Sequence, residues 1–168
     1  MALEDFFSGS AFWTCLLILH GLLSVGLLGA LTHQAMAVLR HRPRVSQSAP
    51  NFIARFSAVT APAYVHAVCV LWVLSFILGG WIYSEYRIAV RIPIEQQEFF
   101  KTLGAFELKE HVAVFGLGLL PYYRYLWRHT VSPTEESARR WVTVFLAAVC
   151  WYTYLAGHVV NNVRGYGS

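Results

Sequence analysis

Charge is scarce in this sequence. Asp, Glu, Lys and Arg make up 13% of its 168 residues, whereas 57% of the residues are hydrophobic. A soluble domain carries about 25% charged residues to cover its surface. The scarcity therefore excludes a water-soluble enzyme, and the hydrophobic content excludes a disordered chain. The formal charge of +4 does not indicate a nucleic-acid partner, because the few basic residues are scattered between apolar segments.

Three long stretches without any charge define the fold class. Asp, Glu, Lys and Arg are all absent from residues 6–39, 56–84 and 141–163. A fourth apolar stretch covers about 111–127, with Arg124 inside it. Because a helix that crosses a bilayer needs roughly 20 mostly apolar residues, the sequence predicts an all-α, integral membrane four-helix bundle. We expect one domain over residues 1–168, with spans at 12–34, 60–83, 108–127 and 141–162.

The sequence lacks the signatures of a membrane β-barrel and of a secretory signal peptide. The apolar runs do not alternate with polar residues, as the strands of a membrane barrel would. The N-terminus lacks the basic region of a secretory signal peptide, since Glu4 and Asp5 stand there instead. We therefore expect residues 1–9 to form a short interfacial segment that leads into the first span.

The distribution of arginine predicts the orientation of the bundle. The first and third connections hold eight Arg against two Glu, whereas the other side holds five basic against seven acidic residues. Lys and Arg collect on the cytoplasmic side of a membrane. The arginine-rich connections are therefore expected in the cytoplasm and both termini on the periplasmic side of the inner membrane. We refer below to the periplasmic end as outer and to the cytoplasmic end as inner.

Motifs for most kinds of chemistry are missing. Cys15, Cys69 and Cys150 lie in three different predicted spans without a C-x-x-C pair, so thiol–disulfide exchange is not indicated. The chain has no phosphate-binding loop, no G-x-S-x-G and no H-E-x-x-H motif. Nothing therefore points to a nucleotide-binding protein or a hydrolase, and no catalytic residue is predicted.

Histidine is the residue type that remains to be explained. Of seven histidines, His41 and His129 lie among arginines at the inner edge and read as interfacial residues. The four predicted spans each contain one histidine well inside them: His20, His66, His111 and His158. An ionisable side chain at membrane depth is costly and normally has a partner. Four imidazoles in four spans favour a shared ligand, and haem iron and copper are the metals that suit them.

Counting along the helices sorts these histidines by depth. Tryptophan favours the membrane interface, so the indoles near the span ends mark the two faces: Trp13 and Trp81 outer, Trp127 and Trp141 inner. At 1.5 Å per residue, His20, His111 and His158 lie about 10, 6 and 4–5 Å inside the outer face. They form a candidate outer haem site. We expect His20 with His111 as the ligand pair, because spans one and three of a simple bundle face each other diagonally. His111 with His158 is the alternative.

His66 is isolated from the outer three histidines, at about 6 Å from the inner face. It is a candidate ligand of an inner haem together with His33, which lies at the inner end of the first span. Pro62, four residues earlier, loosens the backbone below it. This arrangement equally suits a quinone site in which His66 bonds a carbonyl. The third interpretation is a helix–helix hydrogen bond close to Thr60 or Tyr64.

A four-helix membrane bundle with an imidazole in every helix resembles the small membrane-bound b-type cytochromes, including the hydrogenase- and formate-dehydrogenase-type cytochrome b subunits. The resemblance covers the whole chain in architecture and is carried by His20, His66, His111 and His158. It implies one or two b haems, and electron transfer between a periplasmic redox partner and the quinone pool of a respiratory chain. Partners would be lipid and other membrane or periplasmic redox subunits, with no nucleic acid.

Two alternatives to electron transfer stay open. The chain is also suited to be a non-redox membrane subunit or assembly partner of a larger complex, since it has no soluble catalytic domain. It is further suited to bind a metal ion, such as copper held by the outer three histidines and Cys15. A Met-rich copper(I) ligand set is missing, because Met1 and Met36 are the only methionines.

Overall fold

The computed structural model describes residues 10–39, 61–129 and 132–163, and within them every long element is helical. Helix α1 covers Ser10–Leu39 and α2 covers Val65–Tyr86, which a 3₁₀ turn at Ala61–Tyr64 precedes. The chain continues through a π-helical segment at Arg87–Arg91 into the short α3, Ile92–Gln96. Helices α4, Phe100–Arg128, and α5, Pro133–Val163, complete the fold. The described residues contain no strand.

Three stretches of helix are long and apolar enough to cross a membrane: Ala11–Leu39, Ala61–Gln96 and Pro133–Val163. They correspond to the first, second and fourth predicted spans. Helix α4 is as long as the others but more polar, because it carries charged residues at both ends, among them Lys109 and Arg124. An all-helical bundle with three such helices is consistent with a multi-pass membrane protein, because a helix satisfies its own backbone hydrogen bonds within the lipid. The termini, the connection at 40–60 and His41 lie outside the described residues.

The four long helices pack in a ring in chain order. Helix α1 contacts α2 and α5, and α4 contacts α5 and α2, so α1 and α4 lie across the bundle from each other. Indole groups link these neighbours: Trp72 Nε1 donates to the Ala113 carbonyl at 3.4 Å, and Trp151 Nε1 donates to Thr32 Oγ1 at 3.0 Å. The hydrophobic core lies in the inner two thirds of the ring, around Leu31, Val68 and Leu146.

The sequence YRIAVRI, which is rich in the β-favouring residues Tyr, Ile and Val, predicts an extended segment in the outer connection, but this connection is a helical hairpin. Residues 86–92 continue the helix of the second span, and the chain reverses at 97–99, where Glu98 adopts a left-handed conformation with φ 58°. The prediction of extended structure was wrong because tertiary packing outweighs local β propensity. Val90 and Ile94 are buried against Leu103 and Phe106 on α4.

A capping arrangement at Ser132 begins α5. Ser132 Oγ and the Ser132 amide both donate to the Glu135 carboxylate, at 2.9 and 2.8 Å, and the Glu135 amide faces Ser132 Oγ at 3.4 Å. This reciprocal pair is a capping box, with Pro133 at the first helical position, where its missing amide proton costs nothing. The sequence SPTE therefore ends the inner turn and begins the fourth span.

Candidate functional site: an outer cavity between the four helices

A cavity of about 640 Å³ lies in the outer half of the bundle, between all four long helices. Its walls are largely apolar, with Leu17 and Leu27 from α1, Ile82 from α2 and Val160 from α5 among them. The polar side chains that line it are His20 and Ser24 from α1, Ser75, Tyr83 and Tyr86 from α2, Lys109 and Glu110 from α4, and Thr153, Tyr154, His158 and Asn161 from α5. An apolar cavity with a few convergent polar groups is the usual form of a ligand site.

His20 faces the second helix across this cavity. Its ring fits against Gly79, where a Cβ atom would lie 3.3 Å from His20 Cε1. Any larger residue at position 79 would press on the imidazole, so the glycine makes room for the ring. His20 Nδ1 is buried and has no hydrogen-bond partner among the described residues. A buried polar atom without a geometric hydrogen-bond partner is unusual, and a ligand in the cavity would satisfy it.

Two more buried polar atoms at the cavity lack a partner within the described part of the chain. They are the hydroxyl oxygens of Ser75 and Tyr86, whose residues are 9% and 5% exposed. Both line the same cavity as His20. Each such group left unsatisfied costs about 1–3 kcal/mol, so three of them around one space favour a polar or coordinating ligand.

His158 joins His20 at the cavity, whereas His111 does not. The His158 ring lies exposed on α5, lines the cavity and stacks parallel to Tyr154 with ring centroids 6.4 Å apart. The His111 ring is exposed on α4, outside the lining residues, and its Nδ1 lies 2.7 Å from the Glu107 carbonyl oxygen. Of the three predicted outer histidines, the structure therefore brings together His20 and His158, not the expected pair His20 and His111.

Among the described residues, His33, His66 and His129 do not line the outer cavity. The His33 and Tyr64 rings lie 4.8 Å apart between centroids at an angle of 40°, and His66, two residues beyond Tyr64, is exposed. His129 stacks on Tyr125 and its Nδ1 lies 3.1 Å from the Tyr125 carbonyl oxygen. The position of Pro62 in the 3₁₀ turn agrees with a loosened start of this helix.

A polar cluster that sequence reasoning missed lies in the inner half of the bundle. Gln34 is fully buried, donates to the Ala61 carbonyl at 2.8 Å and accepts a hydrogen bond from the Tyr123 hydroxyl. Nearby, Trp127 Nε1 donates to Thr143 Oγ1 at 3.0 Å. These groups satisfy one another, so the cluster ties α1, α4 and α5 together and needs no ligand.

The described residues do not assemble an ion site from protein side chains alone. Among them, no group of three or more His, Cys, Asp or Glu side chains could hold a metal ion. Cys15 is exposed, Cys150 is buried in the core and neither forms a disulfide. The copper site suggested for the outer histidines and Cys15 therefore has no counterpart in the described geometry, whereas a haem iron needs only two protein imidazoles.

The cavity also contains residues that the sequence did not single out. Ser75, Gly79 and Tyr86 all lie on α2, where the sequence pointed to His66 alone as a candidate ligand. The adjacent glycines 79 and 80, one helical turn from Ser75, are the signal that could have pointed there, because small residues let a ring or a helix approach the backbone.

Comparison of the chain with family models, with curated proteins and with solved structures gives no match.

Proposed function

We propose that this protein is a membrane haem-b electron-transfer protein, with a haem in the outer cavity ligated by His20 and His158. The observation that carries the proposal is the cavity itself. Two imidazoles from α1 and α5 line one space of about 640 Å³, and a nitrogen of one of them is buried without a partner. The haem would supply one-electron redox chemistry at its iron, and the protein would supply its ligands and its surroundings.

The shape and chemistry of the cavity fit such a group. Its volume falls within the roughly 300–1,000 Å³ range of sites for small molecules and cofactors. The apolar walls suit a porphyrin, and Gly79 leaves the His20 ring room beside the second helix. The apolar walls would limit the access of water to a bound haem, and solvent exposure together with the axial ligands sets the redox potential of a haem.

The proposed role places the haem between two electron carriers. An outer position leaves it near the periplasmic surface, where a redox partner could approach. Electrons would pass from there to the quinone pool, or in the reverse direction. A quinone site at the inner edge is one of the roles open to His66, whose ring is exposed on α2. The proposal needs one haem per chain, and an inner haem on His33 and His66 would be a second.

Orientation in the inner membrane follows from the arginine-rich inner connections. Reporter fusions after Ser168 and within the outer turn at 97–99 should both report a periplasmic location, since eight arginines hold the inner connections in the cytoplasm. A fusion at 130–131 should report the cytoplasm and serves as the control. A cytoplasmic C-terminus would contradict the orientation.

Reduction by quinol tests the function itself. A quinol added to the haem-loaded protein in lipid vesicles should reduce the haem, and His66→Ala should slow that reduction while the haem content stays unchanged. Met36→Ala is the matched control. Met36 is also an exposed side chain in the inner half, and it has no group that could form a hydrogen bond with a quinone carbonyl. A haem that no quinol reduces would contradict a role in transfer to or from quinone.

A further inference from the structure

Lys109 is the cation of the outer cavity. The chain has two lysines, and Lys109 lines the cavity whereas the exposed Lys101 does not. The Lys109 ammonium lies 4.3 Å from the centroid of the Phe106 ring. It also lies 3.7 Å from the point where a Cβ of residue 157 would stand, which places it in van der Waals reach of α5 at Gly157. Helices α4 and α5 together thus place an ammonium group at the cavity wall.

This ammonium group is not committed to a salt bridge in the described part of the chain. The salt bridges there join Arg91 to Glu95 and Glu107, and Arg139 to Glu136. Glu110, next to Lys109 in the sequence, also lines the cavity and supplies one nearby negative charge. A charge withdrawn from water is costly without a close partner, so Lys109 is placed for an anionic group of a ligand.

A hydroxyl donor lies at the same end of the cavity. Tyr86 stacks on Phe106 with ring centroids 4.0 Å apart, so Tyr86 and Lys109 contact the same aromatic ring. The Tyr86 side chain is buried, lines the cavity and has no partner for its hydroxyl among the described residues. An ammonium and a phenol that share one ring form a pair of donors, and carboxylate oxygens are the acceptors that such a pair binds well.

We propose that Lys109 and Tyr86 bind the carboxylate groups of the cavity ligand and so orient it with its acidic edge toward α4. This inference rests on the proposed function, because haem carries two propionate carboxylates on one edge of an otherwise apolar ring. Lys109 and Tyr86 are positioning residues, and they determine a preference for the free acid over an esterified porphyrin.

The test compares haem with its dimethyl ester, which keeps the iron and the ring but loses both negative charges. The full chain, produced without a haem supply and purified in detergent, is titrated with each compound and followed by visible absorbance. Wild-type protein should bind the free acid about tenfold more tightly than the ester. Lys109→Met should lose most of that preference and bind the ester as wild type does, whereas the matched variant Lys101→Met should keep the preference.

Tyr86→Phe provides a second variant that keeps the stack on Phe106 and removes only the hydroxyl. It should reduce the preference for the free acid by about twofold, while Tyr122→Phe, on the exposed face of α4, leaves it unchanged. If wild type binds neither compound, the proposed haem function fails. If wild type binds haem but Lys109→Met and Tyr86→Phe both keep the full preference for the free acid, the function stands and the inference about Lys109 and Tyr86 is wrong.

Discussion

His20→Ala is expected to abolish haem binding, so that the purified variant has less than about a tenth of the wild-type Soret absorbance per chain. The physical reason is that His20 lines the cavity with a buried nitrogen that has no partner in the described protein, next to the gap that Gly79 leaves for its ring. Alanine would remove that nitrogen and leave a cavity without its most buried ligand. The measurement is the haem-to-protein ratio of protein purified in detergent, with circular dichroism to show that the helices remain.

His111→Ala is the matched control for this loss. His111 is also a histidine in the outer half of the bundle, but its ring is exposed and lies outside the cavity. The control variant should keep its haem and its spectrum. His158→Ala should lose haem or change from a low-spin to a high-spin spectrum, because one axial ligand would be missing. Haem retention by both His20→Ala and His158→Ala would contradict the proposed ligand pair.

The second large effect is expected on stability, at the contact between Trp72 and Gly116. Trp72 is 4% exposed, and its ring lies so close to α4 that a Cβ at residue 116 would stand 2.1 Å from the ring atom Cζ2. The ring belongs to the buried core and cannot retreat cheaply. We expect Gly116→Ala to lower the free energy of unfolding by about 1–3 kcal/mol, because overpacking forces side chains or backbone to shift.

Gly118→Ala, two residues further along the same helix, is the control for this effect. No heavy atom other than those of its own helix and chain neighbours lies within 4 Å of a Cβ at that position. Since alanine favours a helix over glycine by about 1 kcal/mol, this variant should match or exceed the wild type in stability. Thermal unfolding in detergent, followed by circular dichroism, measures both. Equal melting temperatures for Gly116→Ala and wild type would show that the contact is not tight.

The positions of the helices could be predicted from the sequence because apolar length and charge are local properties. Uncharged runs at 6–39, 56–84 and 141–163 locate three long helices, and SPTE marks the start of the last. The helical course of residues 86–92 could not be predicted in this way. The local propensity of its Tyr, Ile and Val residues favours a strand, and the packing of Val90 and Ile94 against α4 makes the helix the better solution.

The members of the site were harder to predict, because depth along a helix does not determine direction around it. Lys109 lies seven residues before the buried Gly116, which corresponds to a rotation of only about 20° around the helix axis. The two residues therefore share the inward face of α4. His111 is five residues from Gly116, about 140° away around the axis, and its ring therefore lies on the exposed side. The contact between Trp72 and Gly116 fixes the rotation of α4 about its own axis, and counting residues along the sequence does not reveal that contact.

A reduced-minus-oxidised visible spectrum of the purified full-length protein, combined with a haem-to-protein ratio, tests the central claim most directly. The proposal predicts the sharp α-band of a low-spin haem b with two imidazole ligands and a ratio of one haem per chain. The same protein with His20→Ala should lack this band. A wild-type protein that purifies folded, from cells supplied with haem, with no haem band and a ratio near zero would contradict the account.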